Sequence, residues 1–277
     1  YLNDLESVNI ASKHLLKFSQ ATNDSINLGV AFRSKAFYFK DRKILDSSFY
    51  YYFKSEKLYS KLNDRLNLAN VLLNKGIVQY DGGNNLGAEL SLTRAQNIFN
   101  ELQNKQKLFE TLISLGNVSE ELKEFDKSLI HYSKALEIAK ELEKNEKKHR
   151  EAICYNNIGF VYEKLGDYKK AISNFNLGLK DKSIREEIPG LYANLLDNLA
   201  YSKLKTNSNN GLPQMFYLSL KIRDSLNSPS NITLSNIHLS KYYLQKGETK
   251  KSLMFAKNAL KISKASKNPV DILVSLQ

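Results

Sequence analysis

Five segments, LLNKGIVQY, LISLGNVSE, YNNIGFVYEKLGDY, LDNLAYSKL and IHLSKYYLQKG, carry one arrangement of apolar and polar positions and align as equivalent helix starts. In that register a small residue recurs at Ala36, Gly76, Gly116, Gly159, Ala200 and Ser240, in steps of 40, 40, 43, 41 and 40. Twelve residues further on stand Ser48, Ala88, Ser128, Ala171, Leu212 and Ser252. Nineteen residues after the first column stand Ser55, Ala95, Ala135, Gly178, Ser219 and Ala259. Seventeen of these eighteen positions are Gly, Ala or Ser, which together make up about a fifth of the chain, so the columns mark a structural repeat.

Small residues at three fixed places in a two-helix unit predict close approach of helix A, helix B and the next helix A. Three residues before the third column stand Tyr52, Leu92, Tyr132, Phe175, Phe216 and Ala256, five of them large enough to fill the gaps beside the small residues. Gly83, Gly166 and Gly247 share one place between the helices, where a left-handed residue ends helix A. With 4 Pro and 12 Gly the chain is too poor in turn formers for an all-β fold. The expectation is an all-α, right-handed superhelical solenoid of stacked hairpins. It comprises a lone helix B at 2–22, hairpins at 25–64, 65–104, 105–146, 148–186, 187–228 and 229–268, and the start of another at 269–277, where Pro269 suits a first helical turn.

The column pattern resembles the tetratricopeptide repeat, and NNIGFVYEKLGDYKKAISNFNLGLK, residues 156–180, is the cleanest copy. A period near 40 in place of about 34 adds about 9 Å of helix shared between the two arms. The resemblance implies that helix A lines a concave face. There, the residue two before the first small column can hold a ligand's backbone. That row reads Ser34, Asn74, Ser114, Asn157, Asn198 and His238, and an Asn amide both donates and accepts toward an extended peptide. One residue after the small column, Phe37, Phe160 and Tyr201 can grip an apolar side chain or pack between helices. Arg33 occupies a place where carboxylate-clamping repeats carry a basic residue, but the other clamp positions are not basic. The candidate groove residues are therefore Arg33, Phe37, Asn74, Asn157, Phe160, Asn198 and Tyr201.

No phosphate loop, dinucleotide fingerprint, zinc-protease motif, nucleophile elbow or CxxC pair is present, so no catalytic residue, metal site or cofactor is expected. His14, His131, His149 and His238 lie in different repeats, and Cys154 beside Ile153 reads as a buried small hydrophobe. Net charge is +12, concentrated in residues 237–268, where Lys241, Lys246, Lys250, Lys251, Lys257, Lys261, Lys264 and Lys267 oppose Glu248. That stretch has no Arg fork, so nucleic acid is not the expected partner; a peptide or protein segment in the groove is.

Residues 191–205, LYANLLDNLAYSKLK, and 218–227, LSLKIRDSLN, are similar to a bacterial subfamily of membrane-anchored sensors. In these an export signal, the repeat array and one membrane helix precede a histidine kinase or another output. The resemblance implies a non-catalytic sensor region on the extracytoplasmic, periplasmic side, touching the membrane only through a segment outside this chain. A cytoplasmic adaptor or transcription-regulator module is the alternative. A chain opening on Tyr1 suggests a fragment or processed product. Neither the ligand nor the oligomeric state is legible in the sequence.

Overall fold

A computed structural model describes residues 2–142, 149–208, 211–266, 272, 273 and 275. Pro269, Lys267 and the 146/148 hairpin boundary fall outside these. The described residues form fourteen α-helices and no strand, in two compact units, 1–146 and 147–277. No described helix is long and apolar enough to cross a membrane.

The first unit holds α1 (Leu2–Ala21), α2 (Ser25–Asp41), α3 (Leu45–Lys61), α4 (Arg65–Asp81), α5 (Asn85–Glu101), α6 (Lys105–Glu121) and α7 (Phe125–Glu141). From α2 onward each helix has 17 residues, and the chain reverses through a left-handed residue at Asn23, Lys43, Asn63, Gly83, Gln103 and Lys123, one every 20 positions. The turn is thus shared by both kinds of junction, and glycine occupies only one of the six left-handed positions. A Lys or Gln in this conformation costs about 1 kcal/mol, which the backbone bonds closing each turn help offset. Asp24, Asp64, Asn84 and Asn104 then start the next helix by accepting from the amide three residues on.

The second unit holds α8 (Arg150–Lys164), α9 (Tyr168–Gly178), the short α10 (Ile184–Glu187), α11 (Pro189–Lys205), α12 (Leu212–Ser225), α13 (Pro229–Gln245) and α14 (Thr249–Ser266). Its helices are unequal in length. In both units each helix packs on the next long one, as expected of stacked hairpins.

The small columns explain the packing. All their members are buried apart from half-buried Ser240. A Cβ added at Gly76 would meet Leu92 at 2.7 Å, and one at Gly159 would meet Phe175 at 2.6 Å. The large residue of helix B therefore sits on the small residue of helix A in the same hairpin. Ser48 and Ser128 donate their hydroxyls to the carbonyls of Ala36 and Gly116 at 2.8 and 2.9 Å, which requires the same close approach.

Candidate functional site

Successive A helices of the N-terminal unit share one face, and α2 and α4 open a cavity on it. Arg33, Ser34 and Phe37 of α2 and Asn70 and Asn74 of α4 line a cavity of about 390 Å³ with Val8 and Tyr52. The Phe37 ring is 45% exposed and also borders a second cavity, of about 600 Å³, with Lys40, Asp41, Lys43, Leu45 and Asp81. Burial lowers the Lys40 amine pKa, against the pull of Asp81. Arg33 donates to Asn67 Oδ1 at 2.7 Å, bridging α2 and α4. Asn74 donates to the Asn70 carbonyl of its own helix at 2.8 Å, which leaves its side-chain oxygen available as an acceptor. Three of the seven sequence candidates, Arg33, Phe37 and Asn74, thus meet at one cavity.

In the C-terminal unit Asn157, Phe160, Asn198 and Tyr201 occupy α8 and α11. Asn157 accepts from Asn156 at 3.1 Å. Asn198 is buried, and its amide points toward Asn156 Oδ1 across a long 3.5 Å contact, so it braces the two helices more than it faces a ligand. Phe160 is half-buried with Lys164 Nζ 4.8 Å from its ring centre. Tyr201 stacks on His238 of α13 at 4.2 Å and 14°.

Behind Tyr201 lies a buried charge network absent from the sequence reading. Asp197 is fully buried; its carboxylate takes His238 Nδ1 at 2.6 Å, Arg223 Nη1 at 3.1 Å and the Ser235 hydroxyl at 3.1 Å. Arg223, also buried, reaches Asn194 Oδ1 at 3.0 Å and the Asn231 carbonyl at 3.1 Å. Burial opposes the Asp197 charge, but His238 and Arg223 outweigh it and hold the carboxyl below its usual range. Beside it, burial raises the Glu163 carboxyl despite His238 and a 3.0 Å bond from Ser202. The register carried only a weak signal: Asp197 shares its column with Leu73, Ile113 and Ile237 but also with Arg33 and Asn156, and Arg223 shares its column with Tyr59, Phe99 and Ala139 but also with Lys182 and Ser263.

The remaining candidates lie apart from these faces. Cys154 is buried, with its thiol pushed up to about 12 by burial, so it is no nucleophile at neutral pH. His149 lies between Asp181 at 2.8 Å and Glu187 at 3.0 Å, tying the start of α8 to the segment after α9. Among the described residues no group of His, Cys, Asp and Glu could hold a metal ion. Lys251 pairs with Glu248 at 2.7 Å in the lysine-rich stretch.

The tetratricopeptide repeat profile matches residues 107–180. No curated protein sequence matches the chain. Among solved structures the chain is similar to apo RapI, with a TM-score of 0.68 and 19% identity, covering 86% of this chain and 98% of that one. It is also similar to apo NprR, a quorum sensor from B. thuringiensis, with a TM-score of 0.66 and 11% identity, covering 95% and 84%. A third is the Rap conjugation gene regulator of plasmid pLS20 in complex with the Phr* peptide, with a TM-score of 0.64 and 14% identity, covering 89% and 76%. The profile match over residues 107–180, the small-residue columns and these likenesses of fold agree on a fold of stacked helical hairpins like that of tetratricopeptide repeats.

Proposed function

We propose that the helix A face binds an extended peptide or protein segment, and that the chain is the non-catalytic sensor and interaction region of a bacterial two-component signalling protein, on the extracytoplasmic side. The observation that carries the binding reading is the cavity where the exposed Phe37 ring meets Arg33, Asn70 and Asn74. One apolar grip among several polar groups suits a side chain and the flanking backbone of a strand-like ligand. The pLS20 Rap regulator, similar in fold, is itself seen with a peptide.

In this reading the ligand bridges neighbouring A helices and alters their spacing. Because each hairpin rests on its neighbours, the change passes from one to the next toward an output domain. A cytoplasmic adaptor or regulator module is the second reading, favoured by the gene-regulator and quorum-sensor roles of the proteins similar in fold.

Selection of a random peptide library on the chain supplies a ligand. Phe37→Ala and Asn74→Ala should then each weaken it by about two- to tenfold, as expected for about 0.5–1.5 kcal/mol per lost contact. Unchanged affinity in variants with parent-like circular dichroism places binding elsewhere. The sequence encoded upstream of Tyr1 and downstream of Gln277 separates the two signalling readings: an export signal and an apolar span support the sensor, and their absence supports the adaptor.

A further inference from the structure

We propose that the surface around Tyr201 is a subsite for a carboxylate of the bound peptide, supplied by an acidic side chain, with Lys205, Lys241 and Lys164 as its cations. The proposal rests on the peptide-binding reading above and adds the ligand's charge.

Lys205, the last residue of α11, and Lys241 of α13 each place Nζ 5.4 Å from the centre of the Tyr201 ring. The ring is held from behind by His238, which Asp197 and Arg223 fix in turn. Two ammonium groups are thereby focused on one rigid aromatic surface. Lys164 adds a third on α8, against Phe160. Among the described residues none of these three lysines takes part in an ion pair, whereas Lys75, Lys105, Lys127 and Lys251 all do.

The neighbouring carboxyls offset this charge only in part. Asp197 is fully buried and already bound by Arg223 and His238. Glu163 is a single carboxyl bonded by Ser202, and burial raises its pKa above that of an ordinary glutamate. Lys241 itself is harder to protonate, first because of burial and then through repulsion by Lys205 and Lys164, against the attraction of Glu163. An anion arriving here relieves that repulsion.

A peptide carboxylate fits better than a polyanion. The three cations are lysines without a guanidinium fork, and they border aromatic rings that can cover the aliphatic stem of an acidic side chain. The stretch resembles neither a phosphate-tracking groove nor a continuous basic face.

The test is selection of a random heptapeptide library on the whole chain, displayed once with free and once with blocked C-termini. Enrichment of Asp or Glu in both formats is expected. Lys205→Gln with Lys241→Gln should then lower affinity for a recovered peptide about tenfold or more, flatten its salt dependence and leave circular dichroism unchanged. Lys205→Glu with Lys241→Glu should shift the enrichment toward basic peptides. Enrichment confined to free termini keeps the carboxylate subsite and moves its source to the peptide terminus. Peptides recovered without acidic bias, or an acidic bias that survives the charge reversal, overturn the subsite while leaving peptide binding intact. Recovery of no peptide, with lysine-dependent binding to phosphatidylglycerol vesicles, overturns both.

Discussion

Each unit buries a charge cluster between its helices, and the two are built for different consequences. In the N-terminal unit Glu56 of α3 receives Lys75 of α4 at 2.5 Å and Arg94 of α5 at 2.5 Å, and one of the two cations, Arg94, remains half in solvent. In the C-terminal unit Asp197 and Arg223 have almost no exposure, and His238 carries their order out to the Tyr201 ring. The first cluster fastens helices. The second does so and also sets a surface side chain, so burial depth and what lies in front of a network decide whether it can affect binding.

The largest expected effect breaks the deeper cluster. Asp197→Ala strands Arg223 without its counter-charge and His238 without its hydrogen-bond partner, and should destabilise α11 to α13 by about 3–5 kcal/mol in urea unfolding, with lost hydrogen-exchange protection concentrated there. A loss below 1 kcal/mol would mean that the network is not closed to water. Glu56→Ala should cost less, about 1.5–3 kcal/mol, because Arg94 can return to solvent.

Packing supplies the control. Gly159→Leu drives a side chain into Phe175 and should cost about 1–3 kcal/mol or more without any change of charge. Stability equal to the parent would discard the small-column register. The sharpest separation comes from Asp197→Leu combined with Arg223→Phe, residue types found at the equivalent columns, Leu73 and Phe99. Stability should return to within about 1.5 kcal/mol of the parent, while peptide affinity at Tyr201 stays weakened because His238 has lost its anchor.

The smallest effect is a pH dependence at His149. Burial works against its imidazolium, but Asp181 and Glu187 outweigh it, so its pKa is raised. Its contribution is therefore complete below the unfolded value of about 6.5 and is lost as pH rises through the folded one. The stability difference between parent and His149→Ala should shrink as pH rises from about 6. Glu56 runs the other way. Burial opposes its charge, Lys75 and Arg94 overcome it, and the lowered pKa makes its contribution disappear in acid. A His149 difference that grows with pH would reverse the reading.

The sequence alone determined the repeat, its hairpin fold class and the places where helices touch, because close packing demands small residues at fixed intervals and leaves columns that can be counted. It also placed Arg33, Phe37 and Asn74 near one another, since a 40-residue period brings equivalent positions together one hairpin apart. Asp197, Arg223, Glu56 and Lys75 were visible only as charged residues in columns of mixed character, which also hold Arg33, Lys182, Gln96 and Lys35, and which charge meets which was not. Arg223 finds Asp197 from helix B of the same hairpin, and His238 finds it from the next. Nor did the row of three asparagines predict that Asn198 is buried while Asn74 and Asn157 are half-exposed. A residue's column fixes its direction from the helix axis, but its accessibility depends on the helices packed in front of it, which only the tertiary structure decides.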